Sequence, residues 1–108
     1  MAKGFGGMGN IFKQAQEMQA KLARAQEELA HRTVEAASGG GMVRVTVNGQ
    51  LALSLIKIDP TVVNPQDVEM LEDLILAAVN EGLRLAREMA AEEMSKITGG
   101  MKIPGLTP

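Results

Sequence analysis

Three glycines near the start of the chain have the spacing of a nucleotide-binding loop. Gly4, Gly6 and Gly9 read as G-x-G-x-x-G, and Glu28 follows where a dinucleotide-binding site carries its acidic residue. Such a loop requires a strand immediately before it, because the strand–turn–helix unit brings the backbone amides to the pyrophosphate. Too few residues precede Gly4 to form that strand. We therefore expect no nucleotide site and interpret residues 1–10 as a flexible, glycine-rich arm.

The titratable side chains form no catalytic or metal-binding pattern. His31 is the one histidine and the chain has no cysteine, so a zinc site would need carboxylate ligands, which are not the set that zinc prefers. Glu69, Glu72 and Asp73 could pair for hydrolysis or hold a cation, but they also stand near the start of a predicted helix, where the helix dipole favours negative charge. We therefore expect a protein that is not an enzyme and has no cofactor, metal or small-molecule substrate.

The basic residues are the remaining candidates for a functional surface. The chain has 11 Lys and Arg against 13 Asp and Glu, and this net charge of −2 disfavours a strongly basic coat that binds any nucleic acid. Residues 1–58 nevertheless carry more basic than acidic side chains, and residues 59–108 the reverse. This asymmetry predicts separate surfaces of opposite charge. The absence of cysteine and of a membrane-spanning apolar segment indicates a cytoplasmic protein with no membrane partner.

Helical periodicity predicts a first helix from Ile11 to about Arg32. Its apolar residues recur at alternating spacings of four and three, which places them in one narrow seam: Ile11, Ala15, Met18, Leu22, Ala25 and Leu29. Lys13 and Arg24 project opposite this seam, and Lys21 lies on its flank. Glu17 is four residues from both Lys13 and Lys21, so ordinary ion pairs on a solvated helix explain the same pattern. Both interpretations remain open.

The middle of the chain predicts three antiparallel strands. Alternating apolar residues indicate strands at Thr33 to Ser38, Met42 to Val47 and Leu51 to Ile58. Gly39–Gly41 is interpreted as the first turn, and Asn48–Gly49 predicts a type I′ turn, because both residues accept a positive φ. The apolar positions of the third strand change face, which predicts a bulge, or burial on both sides, near Leu55.

A second long helix is predicted from an N-cap at Asn64 to about Thr98. At 1.5 Å per residue it would be about 50 Å long, whereas a compact domain of this size has a radius of gyration of about 13 Å. One end of this helix must therefore project from the domain. We expect this to be the second half, after a possible break at Gly82. A stripe of apolar residues covers the sheet, and a second stripe predicts a homodimer interface: Leu76, Leu83 and Met94. Pairing of a sheet edge with its copy across a two-fold axis is a second route to a dimer. Packing of both stripes within one bundle is the alternative to a dimer.

Two arginines of the second helix form another candidate contact. Arg84 and Arg87 are neighbours on the face away from the main apolar stripe, and Arg87 has no acid three or four residues away, whereas Arg84 has Glu88. A two-fold axis would place two such patches at a fixed separation, which suits phosphates across a groove.

Four strings occur in a characteristic order and spacing. They are Gly39-Gly-Gly-Met-Val-Arg-Val-Thr-Val-Asn-Gly49, Ile58-Asp-Pro60, Glu69-Met-Leu-Glu-Asp-Leu-Ile-Leu-Ala-Ala-Val-Asn80 and Ile97-Thr-Gly-Gly-Met101. With them, nearly the whole chain resembles the YbaB/EbfC family of bacterial nucleoid-associated proteins. The resemblance implies an α+β chain of helix, three-stranded antiparallel sheet and long C-terminal helix, which forms a tweezer-like homodimer on double-stranded DNA. It implies DNA contacts by basic helix residues: Lys13, Lys21, Arg24, Arg84 and Arg87.

These patterns predict one α-βββ-α domain over residues 11–98, followed by a mobile tail over residues 99–108. The leading hypothesis is a nucleoid-located homodimer that contacts duplex DNA and affects nucleoid organisation or gene expression. The alternative is a protein–protein adaptor that recruits a DNA repair or recombination partner. Duplex binding that weakens steeply with salt favours the first hypothesis.

Overall fold

The computed structural model describes residues 2–98, with side chains described from Gly9 onwards. The elements in chain order are α1 (Ala2–His31), β1 (Thr33–Ser38), β2 (Val43–Asn48), β3 (Leu53–Ile58) and α2 (Val68–Thr98). The predicted α+β order of helix, three strands and long C-terminal helix is confirmed. The predicted tail over residues 99–108 lies outside the described residues.

The three strands form one antiparallel sheet in the order β1-β2-β3. Thr46 of β2 stands opposite Leu55, and Val47 stands opposite Leu53, so Ser54 is the extra residue of a bulge. The Ser54 hydroxyl donates to the Thr46 carbonyl oxygen at 3.2 Å. The bulge predicted near Leu55 is therefore confirmed, and it brings Leu53 and Ile56 to the same face of β3.

The turn between β2 and β3 differs from the prediction. Asn48 donates its N–H to the Ala52 carbonyl at 2.9 Å, and Leu51 adopts the left-handed backbone with φ 64. The loop is thus longer than a type I′ turn, and Gly49 does not have a positive φ. Gly49 is required for another reason: an added Cβ would lie 2.8 Å from the Leu29 carbonyl oxygen of α1. Its N–H donates to that oxygen at 2.8 Å and so joins α1 to the sheet.

The core lies between the sheet and the middle of α2. Its buried residues are small or β-branched: Ala36, Val43, Val45, Val47, Ala78 and Ala86. The predicted break at Gly82 is wrong, because α2 continues through it. A Cβ on Gly82 would lie 2.8 Å from Val47 Cγ2 and 3.0 Å from Val45 Cγ2. Gly82 therefore marks the closest approach of α2 to the sheet.

The residue that caps α2 is Asp67, three residues beyond the predicted cap at Asn64, and the helix begins at Val68. Asn64 Oδ1 accepts from the Gln66 N–H at 3.0 Å, which stabilises a turn before the helix. Asp67 is the capping residue, because its carboxylate accepts from the Met70 N–H at 3.2 Å. The chain therefore uses one polar side chain to close the turn and a second one to start α2 at Val68.

The helix that leaves the globule is α1. It begins at Ala2 rather than at the predicted Ile11, so the segment interpreted as an arm is helical from residue 2. Every residue from Gly9 to Lys21 is exposed. The helix is about 45 Å long at 1.5 Å per residue, and the longest dimension of the molecule is 79 Å. The second half of α2, predicted to project, is half-buried along one side instead.

Replacing Gly82 with Ala is expected to lower the free energy of unfolding by about 1–3 kcal/mol, because the added methyl group overlaps two valines in a packed core. Gly9→Ala is the matched control in α1, since nothing lies within 4 Å of its added Cβ. There the helix propensity of Ala acts alone and stabilises by at most about 1 kcal/mol. Urea denaturation followed by circular dichroism measures both changes. A Gly82→Ala variant as stable as the wild type would contradict the tight packing.

Candidate nucleic-acid interface

Three predicted DNA-contacting residues lie on the exposed part of α1. Lys13, Lys21 and Arg24 are exposed, and none of the ion pairs within 4.0 Å among the described residues includes them. The pairing with Glu17 that would have explained Lys13 and Lys21 does not form. Lys13 and Arg24 are 11 residues apart, close to three helical turns, so they share one side of α1 about 16 Å apart.

The two candidate arginines of α2 have different surroundings. Arg84 donates from Nε to Glu81 Oε1 at 2.7 Å and from Nη1 to Glu88 Oε1 at 2.8 Å. The hydrogen bond to Glu81, together with the charges of Glu81 and Glu88, raises the pKa of the Arg84 guanidinium above its ordinary value. Arg87 is exposed and takes part in none of the described ion pairs. Of this pair, Arg87 is the better placed for a phosphate.

Arg32 joins the base of α1 to α2. Its Nη1 lies 2.8 Å from Glu93 Oε2, and Lys96 Nζ lies 3.8 Å from the same oxygen. Helical spacing suggests Glu28, four residues earlier, as the partner of Arg32, but Arg32 lies just after the end of α1 and pairs with Glu93 of α2 instead. The Arg32–Glu93 contact holds the end of α1 against the second half of α2.

Two further cations lie on the face of the sheet away from α2. Arg44 of β2 and Lys57 of β3 are directly opposite each other in the strand register, and both are exposed. Arg44 Nε donates to the Gly41 carbonyl oxygen at 3.3 Å. Sequence reasoning missed this pair. The strand alternation places each residue on a face, but only the register, including its bulge, brings the two together.

Exposed apolar side chains occur on α1, in the loops, on α2 and on β3, which is an edge strand. Leu53, Leu55 and Ile56 remain 40%, 53% and 42% exposed. Of the predicted dimer residues, Leu76 is 60% exposed, whereas Leu83 and Met94 are half-buried and Leu83 packs against the core of its own chain. Sequence reasoning left open whether a helix face or a sheet edge forms the dimer contact, and the exposed apolar residues of β3 favour this edge.

Residues 2–98 contain neither a cluster of metal-binding side chains nor a helix that could span a membrane. Within this range, no group of three or more His, Asp or Glu side chains could hold a metal ion. Neither of the two described helices is long and apolar enough to cross a membrane.

A model of the YbaB/EbfC DNA-binding family matches residues 4–101. The chain belongs to this family. The family inferred from the four sequence strings is thus confirmed, and the candidate cations of α1, the sheet and α2 all lie within the matched region.

Bacterial relatives match this family member along almost their whole length. A protein of Syntrophobacter fumaroxidans named "Nucleoid-associated protein" is 57% identical over 106 residues, covering 98% of this chain and 93% of that protein. A protein of Moorella thermoacetica with the same name is 60% identical over 102 residues, covering 94% of this chain and 98% of that protein. The crystal structure of an uncharacterized protein from Helicobacter pylori has a TM-score of 0.75 at 24% identity, covering 82% of this chain and 94% of that chain, and shares the fold.

Arg87→Gln tests whether α2 also contacts DNA: a contact there would be lost in each protomer, and the slope of log affinity for duplex DNA against log salt would fall by about two per dimer. Arg84→Gln removes the same charge but is expected to leave the slope nearly unchanged, because Glu81 and Glu88 already engage that guanidinium. Mobility shifts over a series of salt concentrations measure both slopes. Equal slopes for the two variants would contradict the distinction between these arginines.

Proposed function

We propose that this family member is a nucleoid-associated protein whose homodimer contacts duplex DNA through α1. The observation that carries the proposal is the row of Lys13, Lys21 and Arg24 on a helix that extends beyond the globule, with no described carboxylate within ion-pair distance. Cations without a protein partner can bind phosphates without first breaking an ion pair. Two bacterial relatives are named nucleoid-associated proteins, which supports the nucleoid as the location. Membership of a DNA-binding family supports DNA as the partner.

Acidic residues on α1 determine the kind of binding that we expect. Glu17, Glu27 and Glu28 are also exposed on this helix, so its long-range attraction for DNA is weak. Binding must then depend on direct contacts between individual cations and phosphates. Such contacts position a protein on the duplex but do not read its bases. We therefore propose binding with little sequence preference, suited to organising DNA and to affecting gene expression through its compaction.

The proposed dimer contact is the apolar edge of the sheet. Because β3 is at the edge, its outer backbone groups have no strand partner within the described chain. Leu53 and Ile56 lie on the same face as the core valines, but α2 packs over β1 and β2 and leaves them half-exposed. A second copy that pairs along β3 could bring its own Leu76 over these side chains. That one contact would bury the apolar side chains of β3 and give its outer backbone groups hydrogen-bond partners.

The double variant Leu53→Lys with Ile56→Lys is expected to sediment as a monomer at concentrations where the wild type is a dimer, because four lysines would be buried at the two-fold contact. Ile11→Lys with Phe12→Lys is the matched control on α1, where both side chains are 66% exposed. This control is expected to remain dimeric. Sedimentation velocity measures the state of each. A monomeric control with a dimeric β3 variant would overturn the proposed contact.

For DNA, Lys21→Gln with Arg24→Gln is expected to weaken duplex binding at least on the order of tenfold and to reduce the salt slope by about two for each protomer in contact, or about four per dimer. Arg84→Gln with Lys96→Gln is the charge-matched control, because it also removes two positive charges, and both of these have carboxylate neighbours. Fluorescence anisotropy of a labelled duplex over a salt series measures the affinities.

Two outcomes would contradict the proposed DNA contact. The first is that the wild type fails to bind duplex DNA at about 50 mM salt, a low concentration at which phosphate contacts are strong. Alternatively, the α1 variant and the charge-matched control could lose affinity equally. The second result would mean that net charge alone governs binding and that α1 is not the contact.

A further inference from the structure

One side of α2 holds both the sheet and α1. Its buried and half-buried residues recur every three or four positions and so form one stripe: Ala78, Gly82, Ala86, Met89, Glu93 and Ile97. The first half of this stripe packs on β1 and β2. In the second half, Glu93 pairs with Arg32, the residue directly after α1, and α1 contacts α2. The sheet and α1 therefore lie side by side against the same side of α2.

The cations of α1 and of the sheet consequently face in a common direction, away from α2. The part of α1 that packs is its seam at Leu22, Ala25 and Leu29. Lys13 and Arg24 project from the opposite side of that helix. In β2 the buried valines face α2, so the strand alternation turns Arg44, and with it Lys57, to the outer side. We call these four residues, Lys13, Arg24, Arg44 and Lys57, the phosphate face.

The sheet contributes positive charge that the described side chains of α1 lack. From Gly9 to His31, the three cations Lys13, Lys21 and Arg24 are balanced in number by Glu17, Glu27 and Glu28. On the outer face of the sheet, within the described strands, Glu35 is the one acid beside Arg44 and Lys57. No described carboxylate oxygen lies within 4.0 Å of either of these two cations. The sheet therefore gives the phosphate face its excess of positive charge.

The pairing of Arg44 with Lys57 favours an anionic ligand. Like charges directly opposite each other on neighbouring strands repel and destabilise a sheet. Both line a shallow concavity of about 370 Å³, whose floor includes Thr46 and Leu55. An anion held between the two side chains would relieve the repulsion, and desolvation is small because both side chains are exposed. A second copy is a poor occupant, because a two-fold contact through this face would bring the same cations together.

We infer that the DNA-contacting surface continues from α1 onto the outer face of the sheet, where Arg44 and Lys57 bind phosphates of the same duplex. This inference rests on the proposed function. A duplex presents phosphates along its whole length, so it can meet all four cations of the phosphate face in turn. The contact would then extend beyond the roughly 45 Å of α1 towards the 79 Å length of the molecule.

The test is the duplex affinity of Arg44→Gln with Lys57→Gln, measured in the full-length dimer by anisotropy over a salt series. The expected result is a loss at least on the order of tenfold at low salt and a salt slope smaller by about two for each protomer in contact, or about four per dimer. Arg84→Gln with Lys96→Gln serves again as the charge-matched control and is expected to keep the wild-type slope. Because Arg44 and Lys57 are exposed, the variant should melt at the wild-type temperature or above it.

Two conservative variants on the same face sharpen the result. Arg44→Lys with Lys57→Arg keeps both charges and is expected to bind within about twofold of the wild type, since phosphate contacts depend mainly on charge. Glu35→Gln removes the acid from the concavity and is expected to raise the affinity. A decrease in affinity for Glu35→Gln would overturn the inference, because the face would then not be in contact with a polyanion.

Failure of the inference can be told apart from failure of the proposed function. If Lys21→Gln with Arg24→Gln weakens binding and Arg44→Gln with Lys57→Gln matches its charge control, the contact is confined to α1 and the inference is wrong. If the wild type binds no duplex, the proposed function fails. If the Arg44 and Lys57 variant changes the sedimentation of the DNA-free protein, its face contacts protein, and the inference is overturned.

Discussion

The close contact between the middle of α2 and the sheet determines the rest of the architecture. Ala78, Gly82 and Ala86 present almost no side chain, so the helix backbone approaches the valines of β2 directly. A helix held this close covers little width, and it packs over β1 and β2 but not over β3. The uncovered apolar residues of β3 follow from that restriction. The surface that we propose for self-association is therefore a consequence of how tightly the core is packed.

The same stripe of α2 also sets the direction of the charges. Because α1 contacts α2 beyond the point where the sheet ends, the helix and the sheet form one layer, with α2 as the other. Gly49 reinforces this layer, since its N–H donates to the Leu29 carbonyl oxygen at a distance that leaves no room for a side chain. The cations of α1 and of the sheet thus face outward together, although they are far apart in the sequence.

Patterns that depend on neighbouring residues were sufficient for much of the fold. The period of the apolar residues predicted both helices and the strands, and the change of face in β3 predicted the bulge at Ser54. Features that depend on a distant partner were not predictable in this way. Gly82 was predicted to be a possible helix break. Its actual role, to allow α2 to approach the sheet closely, depends on Val45 and Val47, which are distant in the sequence. Gly49 read as a turn residue for the same reason, since Leu29 is distant in the sequence.

In the candidate site, too, features that depend on neighbouring residues were predictable and features that depend on a distant partner were not. The exposure of Lys13 and Arg24 on α1 followed from helical periodicity, because each lies opposite the apolar seam. The Arg44–Lys57 pair could be found only from the strand register, because the bulge at Ser54 shifts which residues of β2 and β3 stand opposite each other. Local spacing also suggested Glu28 for Arg32, whereas the structure pairs Arg32 with Glu93 of α2. Nearby acids correctly indicated that Arg84 is paired and Arg87 is not, but they failed for Arg32, so local spacing is an incomplete guide to the partners of the described cations.

The overall negative charge is compatible with a DNA-contacting face because the charges are separated across two layers. Asp73 and Glu88 lie on the side of α2 away from the sheet, and the shorter dimensions of the molecule are 24 and 17 Å. The Debye length is about 10 Å at 0.1 M salt, so these carboxylates are screened from a ligand on the opposite side. Glu35 and the acids of α1 are not separated in this way. A few nearby carboxylates, rather than the net charge of −2, should therefore limit how strongly the protein holds DNA.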